Sequence, residues 1–218
     1  MTYGPDEFAA EYGVSRETLD RLRTFDAALL DWSSRHNLIS RSTIKERWDR
    51  HYRDSAQLYE LLPADARTLV DLGSGAGFPG LVLAAMGAAR GLQVALVEST
   101  GKKAAFLDAA IQAMSLQNAR VIPQRIESIT ISPPDVVTAR ALAQLERLLA
   151  YADEFADENT TLVFPKGQDV EGELTQAAKS WHMKVDRRPS VTSPGSTILV
   201  IRDFQPKGAR KPSRTHKT

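Results

Sequence analysis

Asp71, Glu98, Arg140 and Lys166 are residues whose types and positions could do chemistry in this chain. Each ends or follows a short apolar run of β character, at 68–72, 93–97, 135–139 and 160–164. Charged groups gathered at the C-terminal ends of parallel strands stand where α/β sheets bind ligands. Glycines recur after the first run at 73, 75, 77 and 80. Without Cβ they permit positive φ and let backbone approach a ligand closely. Glu98 is placed to accept hydrogen bonds from both hydroxyls of a ribose. Arg140 and Lys166 would stand at the mouth of the same site, where a carboxylate, a phosphate or a base edge could be held.

Gly75-x-Gly77-x-x-Gly80 matches the dinucleotide fingerprint literally. The register opposes that reading. A dinucleotide loop should start at the strand end, which is Gly73, and Asp71 would then sit inside the buried strand. The same residues also read as Asp71-x-Gly73-x-Gly75-x-Gly77, an acid-led form suited to a ligand with a charged amino-acid end. Asp71 would orient the turn and, through water, a ligand ammonium. Glu127 follows the third strand, where a side chain or backbone amide can read an adenine edge.

Elimination narrows the reaction. There is no cysteine, so no thiolate can activate a pyrimidine ring. The Pro-Pro pair that often accompanies exocyclic amine methylation lies before the fourth strand, at Pro133-Pro134, instead of after it. The four histidines, 36, 51, 182 and 216, lack metal-ligand spacing, so no metal is expected. What remains is a nucleophile needing no deprotonation. Guanine N7, with an exposed lone pair on the major-groove edge, is one.

The elements that must position these groups follow from the pattern. Residues 1–62 look helical. Ser15 can cap a helix with an apolar stripe through Leu19, Leu22, Phe25, Leu29 and Trp32, and Asn37 suits its left-handed end. Thr43 and Glu46 have capping-box spacing, and a further helix through Leu58, Leu61 and Leu62 stops at Pro63. Beyond residue 68 strands alternate with helical runs at 79–89, 102–115 and 142–156 and a short connection near 124–130. Such alternation predicts a parallel sheet. Further strands are expected at 119–122, 183–188 and 197–203. The last two are separated only by residues 189–196, too few for a helical crossover, so they should form an antiparallel hairpin. A mostly parallel seven-stranded sheet ending in such a hairpin is the Rossmann-like α/β layout of class I methyltransferases that use S-adenosylmethionine. The expected division is a helical extension (1–62), a methyltransferase core (63–204) and a basic, disordered tail (205–218).

At 218 residues and 42% hydrophobic content, the chain can bury a full core. No apolar signal or membrane-spanning segment is seen, so a soluble cytoplasmic protein is expected. The net charge of +1 hides two basic stretches, one over 35–53 and one beyond 205. Patchy positive charge on a near-neutral body suits a polyanion. Arg47, Arg50 and Arg53, at three-residue steps, would share a broad helical face toward phosphates.

With these residues in place, the chain resembles the bacterial 16S ribosomal RNA guanine-N7 methyltransferases, the ribosomal RNA small subunit methyltransferase G family, also called glucose-inhibited division protein B. The resemblance covers about residues 14–203. It rests on Asn37-Leu38-Ile39-Ser40, Arg47-Trp48 through His51 to Asp54-Ser55, the loop through Phe78-Pro79-Gly80, Val137-Thr138-Ala139-Arg140-Ala141 and Lys166-Gly167. It implies S-adenosylmethionine contacts at Gly73, Phe78, Ile126, Glu127 and Arg140, and an RNA-facing side at the Leu38–Ser42 link and the basic segment after it. The full expectation is cofactor binding by Asp71, Gly73, Gly75, Gly77, Phe78, Glu98, Ile126, Glu127 and Arg140. Arg140 and Lys166 position the reactants. Arg41, Arg47, Arg50, Arg53, Lys102 and Lys166 contact RNA. The partner is 16S ribosomal RNA or the small ribosomal subunit, and the enzyme is a monomer. The alternatives are a small-molecule methyltransferase of the same fold, or a nicotinamide-dependent oxidoreductase.

Overall fold

The computed structural model describes residues 3–208. Helices α1 (Pro5–Tyr12) and α2 (Arg16–Ser33) open the chain. Ser15 caps α2 as its sequence requires, its hydroxyl accepting from the Thr18 amide at 3.1 Å. Two local expectations fail. Asn37 does not adopt the left-handed conformation; α2 ends at Ser34 in ordinary helical geometry. The Thr43–Glu46 capping box does not form, because the Thr43 hydroxyl donates to the Ser40 carbonyl (2.9 Å) and meets His51 Nε2 (2.9 Å). Instead, Trp48–Arg53 winds as a π-helix that runs into a short α-turn, α3 (Asp54–Ala56). Single π-turns of this kind cluster at functional sites.

The α/β part has strands β1 (Thr68–Leu72), β2 (Gln93–Val97), β3 (Ala119–Ile122), β4 (Val136–Ala139), β5 (Thr161–Lys166), β6 (Trp181–Pro189) and β7 (Thr197–Pro206). They form one sheet in the order β3-β2-β1-β4-β5-β7-β6. β1 to β5 are parallel, and β7 is antiparallel to both of its neighbours. Helices α4 (Gly80–Gly87), α5 (Gly101–Ala113), α6 (Leu145–Asp153) and α7 (Val170–Ser180) connect the strands. The sequence reading omitted α7, although Val170, Leu174 and Ala177 carry a helical repeat and all are buried. Lys207 also departs from expectation. The first residues of the expected tail complete β7, and the Lys207 backbone amide donates to the Ser180 carbonyl at 2.7 Å. The remainder of that tail, from 209, lies outside the described residues.

The register decides what meets at the edge. Leu72 pairs with Val97 on one side and with Ala139 on the other. Their successors, Gly73, Glu98 and Arg140, therefore leave the sheet side by side where the strand order reverses, the usual ligand position in an open α/β sheet.

The N-terminal helices belong to the same core. Nearly every residue of α4 is buried, leaving only Met86 partly exposed. A helix that is apolar all round must be covered on all sides. The sheet covers one side, and Phe25 and Tyr52 of the extension join Phe78 and Phe106 in one aromatic cluster on the other. Each such fully buried ring contributes about 1.5–3 kcal/mol. The opposite face of the sheet is closed by α6 and α7 through Leu145, Leu149 and Leu174.

Candidate active site

The glycine loop owes its shape to what surrounds it. Gly75 has φ +55°, and a Cβ there would meet only the Gly73 carbonyl at 3.7 Å, so its side faces open space. Gly80 is needed for the contrary reason. A Cβ there would stand 2.2 Å from Leu96 Cδ2 and 2.8 Å from Asp71 Oδ2. Asp71 is wholly buried beneath the loop. Its Oδ1 accepts from the Thr138 hydroxyl at 2.8 Å, and Oδ2 faces Gly80 without a hydrogen bond of full geometry. Burial pushes its carboxyl up to about 6. The expected reach of Asp71 toward a ligand ammonium is thus corrected: it ties β1 to β4 behind the loop.

Beyond β2, Glu98 is buried and pinned. Oε2 accepts from the Gly75 amide (3.0 Å) and Oε1 from the Thr100 amide (2.7 Å). Each carboxylate oxygen keeps a further lone pair for a hydroxyl. The carboxylate faces a cavity of about 350 Å³ that also takes in Gly73, Ile126, Glu127 and Arg140. Sequence reasoning missed several residues of that wall, Arg147 and Tyr151 among them. They stand four apart on α6, the Tyr151 hydroxyl donates to Glu127 Oε1 at 3.1 Å, and Arg147 stacks over the Tyr151 ring. Only a pairing across the fold brings them to the cavity, so no local signal could have marked them. Gly75 and Gly77 stand outside this wall. So does Phe78, whose ring is buried among Phe25, Tyr52 and His51. The ring carries the Arg140 guanidinium, 5.2 Å from its centroid.

Arg140 is the junction of the site. Nη1 donates to Asp54 Oδ2 (3.1 Å) and Nη2 to His51 Nδ1 (3.3 Å). A guanidinium can only donate, so Nδ1 is the accepting nitrogen and Nε2–H donates to Thr43. Burial and the adjacent Arg140 charge push His51 down to about 4, so it is neutral at pH 7. Ala141, next in the chain, has φ +52°. Left-handed backbone at a non-glycine residue is stored strain of the kind found at functional sites.

Lys166 differs from its expected role. Its side chain is 7% exposed, donating to the Ala143 carbonyl (3.0 Å) and pairing with Glu173 of α7 at 2.6 Å. The same Glu173 oxygen accepts from the Leu145 amide at the start of α6. Lys166 therefore braces the loop after Arg140 and offers no free charge to a phosphate. Two of the basic row are likewise engaged. Arg47 binds Asp26 through two hydrogen bonds (2.6 and 2.7 Å), and Arg53 pairs with Glu11 and Asp49. The expected shared face of Arg47, Arg50 and Arg53 dissolves because the i→i+5 winding fans three-residue steps further apart than an α-helix does. Among the described residues Arg50 has no acid partner. Arg41 and Lys102 are exposed.

A buried, oriented carboxylate after β2, a glycine loop after β1 and this strand order together define a class I S-adenosylmethionine-dependent methyltransferase. A SAM-dependent methyltransferase from Aquifex aeolicus superposes with a TM-score of 0.57 at 14% identity, covering 81% of this chain and 97% of that one. A ribosomal protein L11 methylase from Lactobacillus delbrueckii gives 0.55 at 14%, over 67% and 75%. At such identities these likenesses speak for the fold. The sequence is more specific: the family model of rRNA small subunit methyltransferase G matches residues 18–198. Proteins named ribosomal RNA small subunit methyltransferase G are 48% identical in Rhodospirillum centenum, over 93% of this chain and 92% of that one, and 47% identical in Rhodospirillum rubrum, over 90% and 96%. The chain belongs to the rRNA small subunit methyltransferase G family.

Proposed function

We propose that this protein transfers the methyl group of S-adenosylmethionine to N7 of a guanine in the 16S RNA of the small ribosomal subunit. The observation that carries the N7 reading is that the two candidate bases beside Arg140, His51 and Asp54, are already committed. Both nitrogens of His51 and both oxygens of Asp54 are engaged in hydrogen bonds. Such a mouth suits an acceptor that already presents its lone pair. The cofactor supplies a methyl group on a sulfonium, and the cavity fits it by its chemistry. Glu98 would accept from the ribose hydroxyls, the backbone at Gly73 and Ile126–Glu127 would hold the rest of the nucleoside, and Arg140 would hold a carboxylate or the acceptor. The positive charge moves from sulfur to the purine, so Asp54, by offsetting Arg140, keeps the mouth from repelling it. Arg41, Arg50 and Lys102 offer charge to the RNA backbone.

We propose that the protein acts as a monomer in the cytoplasm, where small subunits are found. No helix among the described residues is long and apolar enough to cross a membrane. The test is to map N7-methylguanine in 16S RNA, supplied naked and within small subunits, after incubation with the protein. One modified guanine is expected. Methylation confined to another position of the base, or to small molecules only, overturns the proposal.

A further inference from the structure

A second cavity of about 250 Å³ adjoins the first, and Arg140 and Ala141 line both. Its far wall is the loop between β6 and β7, which brings Ser190, Thr192, Ser193 and Ser196 to it. Pro165 and Ile198 supply apolar surface. The loop is fastened to the N-terminal extension, more than a hundred residues away in sequence. The Thr192 hydroxyl donates to Asp54 Oδ1 (2.6 Å), and Gln57 Oε1 accepts from the Val191 amide (2.9 Å). Asp54 therefore holds Arg140 with one oxygen and the loop with the other, which fixes the width of the cavity between them.

Resting on the RNA reading above, we propose that this second cavity receives the acceptor guanine, extruded from the RNA, and that the Ser190–Ser196 loop is its outer wall. A base must leave its stack to meet a methyl group inside a protein. Hydroxyls both donate and accept, so they can answer the mixed edge of guanine, which carries O6 as acceptor and N1–H and the amino group as donors. Arg50, exposed and without an acid partner, also lines this cavity and suits the phosphate that carries the base, while Lys166 and Arg140 are both paired. Guanine entering beside Arg140 and Ala141 can turn N7 toward the first cavity. The N7 lone pair then forms the N–C bond as the C–S bond breaks, sulfur keeps that electron pair, the positive charge ends on the purine, and no proton moves.

Ser193→Trp fills the cavity from an exposed loop. Ala113→Trp adds the same bulk at an exposed position of α5, outside the lining of either cavity. The probes are 16S RNA in small subunits, S-adenosylmethionine by calorimetry, and an RNA fragment with 2-aminopurine at the mapped guanine. In S193W, methylation should fall by about 100-fold or more, since misplacement of about 1 Å already costs that much. Cofactor affinity should stay near wild type, and the 2-aminopurine fluorescence rise seen with wild type should vanish. A113W should behave as wild type. If S193W methylates at the wild-type rate, or keeps the fluorescence rise, the cavity assignment is wrong. If wild type deposits no N7-methylguanine, the RNA reading fails and the assignment falls with it. Should S193W not fold by circular dichroism, Thr192→Val decides. A loss of kcat/KM of about tenfold, restored by Thr192→Ser, supports the wall; an unchanged value rejects it.

Discussion

Asp71 and His51 show how single residues here carry opposite costs. Asp71 has a native pKa near 6 against an ordinary 3.8. The native state therefore binds its proton more tightly than the unfolded chain does, and stability falls as pH rises from about 4 to about 6, by about 3 kcal/mol. His51 is depressed to about 4 from 6.5, so its contribution runs the other way: stability rises with pH across that window and is lost as His51 is protonated. The two slopes oppose each other in the wild type. Asp71→Asn keeps an acceptor for Thr138 and removes one slope, so urea unfolding from pH 4 to 7.5 should show stability climbing steeply with pH. A slope equal to wild type would mean that Asp71 is not buried as described.

Glu98 offers a second test. Glu98→Ala removes one or two hydrogen bonds to the cofactor, each about 1.5–3 kcal/mol, and also orphans the Gly75 and Thr100 amides. It should weaken cofactor binding more than Glu98→Gln, which calorimetry measures; equal losses would move the ribose contact elsewhere. Glu98 and Arg140 stand where the sequence puts them, because their position depends on the strand just before them. The surroundings of Asp71 and of the Phe78 ring were not legible in this way. Their neighbours in sequence say where they are, but Thr138, Tyr52 and Arg140 decide which way they face.

Among elements, β5, α6 and α7 are locked by one buried ion pair. Lys166→Met or Glu173→Gln leaves a charge without its partner, at a cost of about 3–5 kcal/mol, while the double Met variant should recover much of it. Denaturant midpoints check this, and additive losses in the double variant would show that the two side chains do not interact. The strands and most helices were legible because period and punctuation are local properties. The π-turn at Trp48–Arg53 was not. Its arginines answer to Asp26 and Glu11, which only tertiary folding supplies, and with them went the reading of three arginines as one surface. Helix α7 was missed although its repeat was on the page, masked by a polar composition.

For the whole molecule, charge divides into structure and contact. Arg47→Ala and Arg53→Ala should lower the melting temperature and leave RNA affinity with its wild-type salt dependence. Arg50→Glu should do the reverse, flattening the plot of log affinity against log salt by about one unit per lost phosphate contact. Filter binding at several salt concentrations, beside thermal melts, separates them; a shallower slope in the Arg47 variant would restore it to the RNA face.

The insertion of β7 between β5 and β6 has a consequence for how the chain is made. The ribosome delivers β6 before the strand that connects it to the sheet, so β6 must wait as an unattached edge until Thr197–Pro206 emerges. The glycine loop, Glu98 and Arg140 can assemble earlier, from parts already synthesised. A product whose synthesis stops short of Thr197 loses two strands at once, together with the anchored loop of Ser190–Ser196. Such a fragment has a donor site and no outer wall for an acceptor, so translation itself withholds activity until the chain is whole.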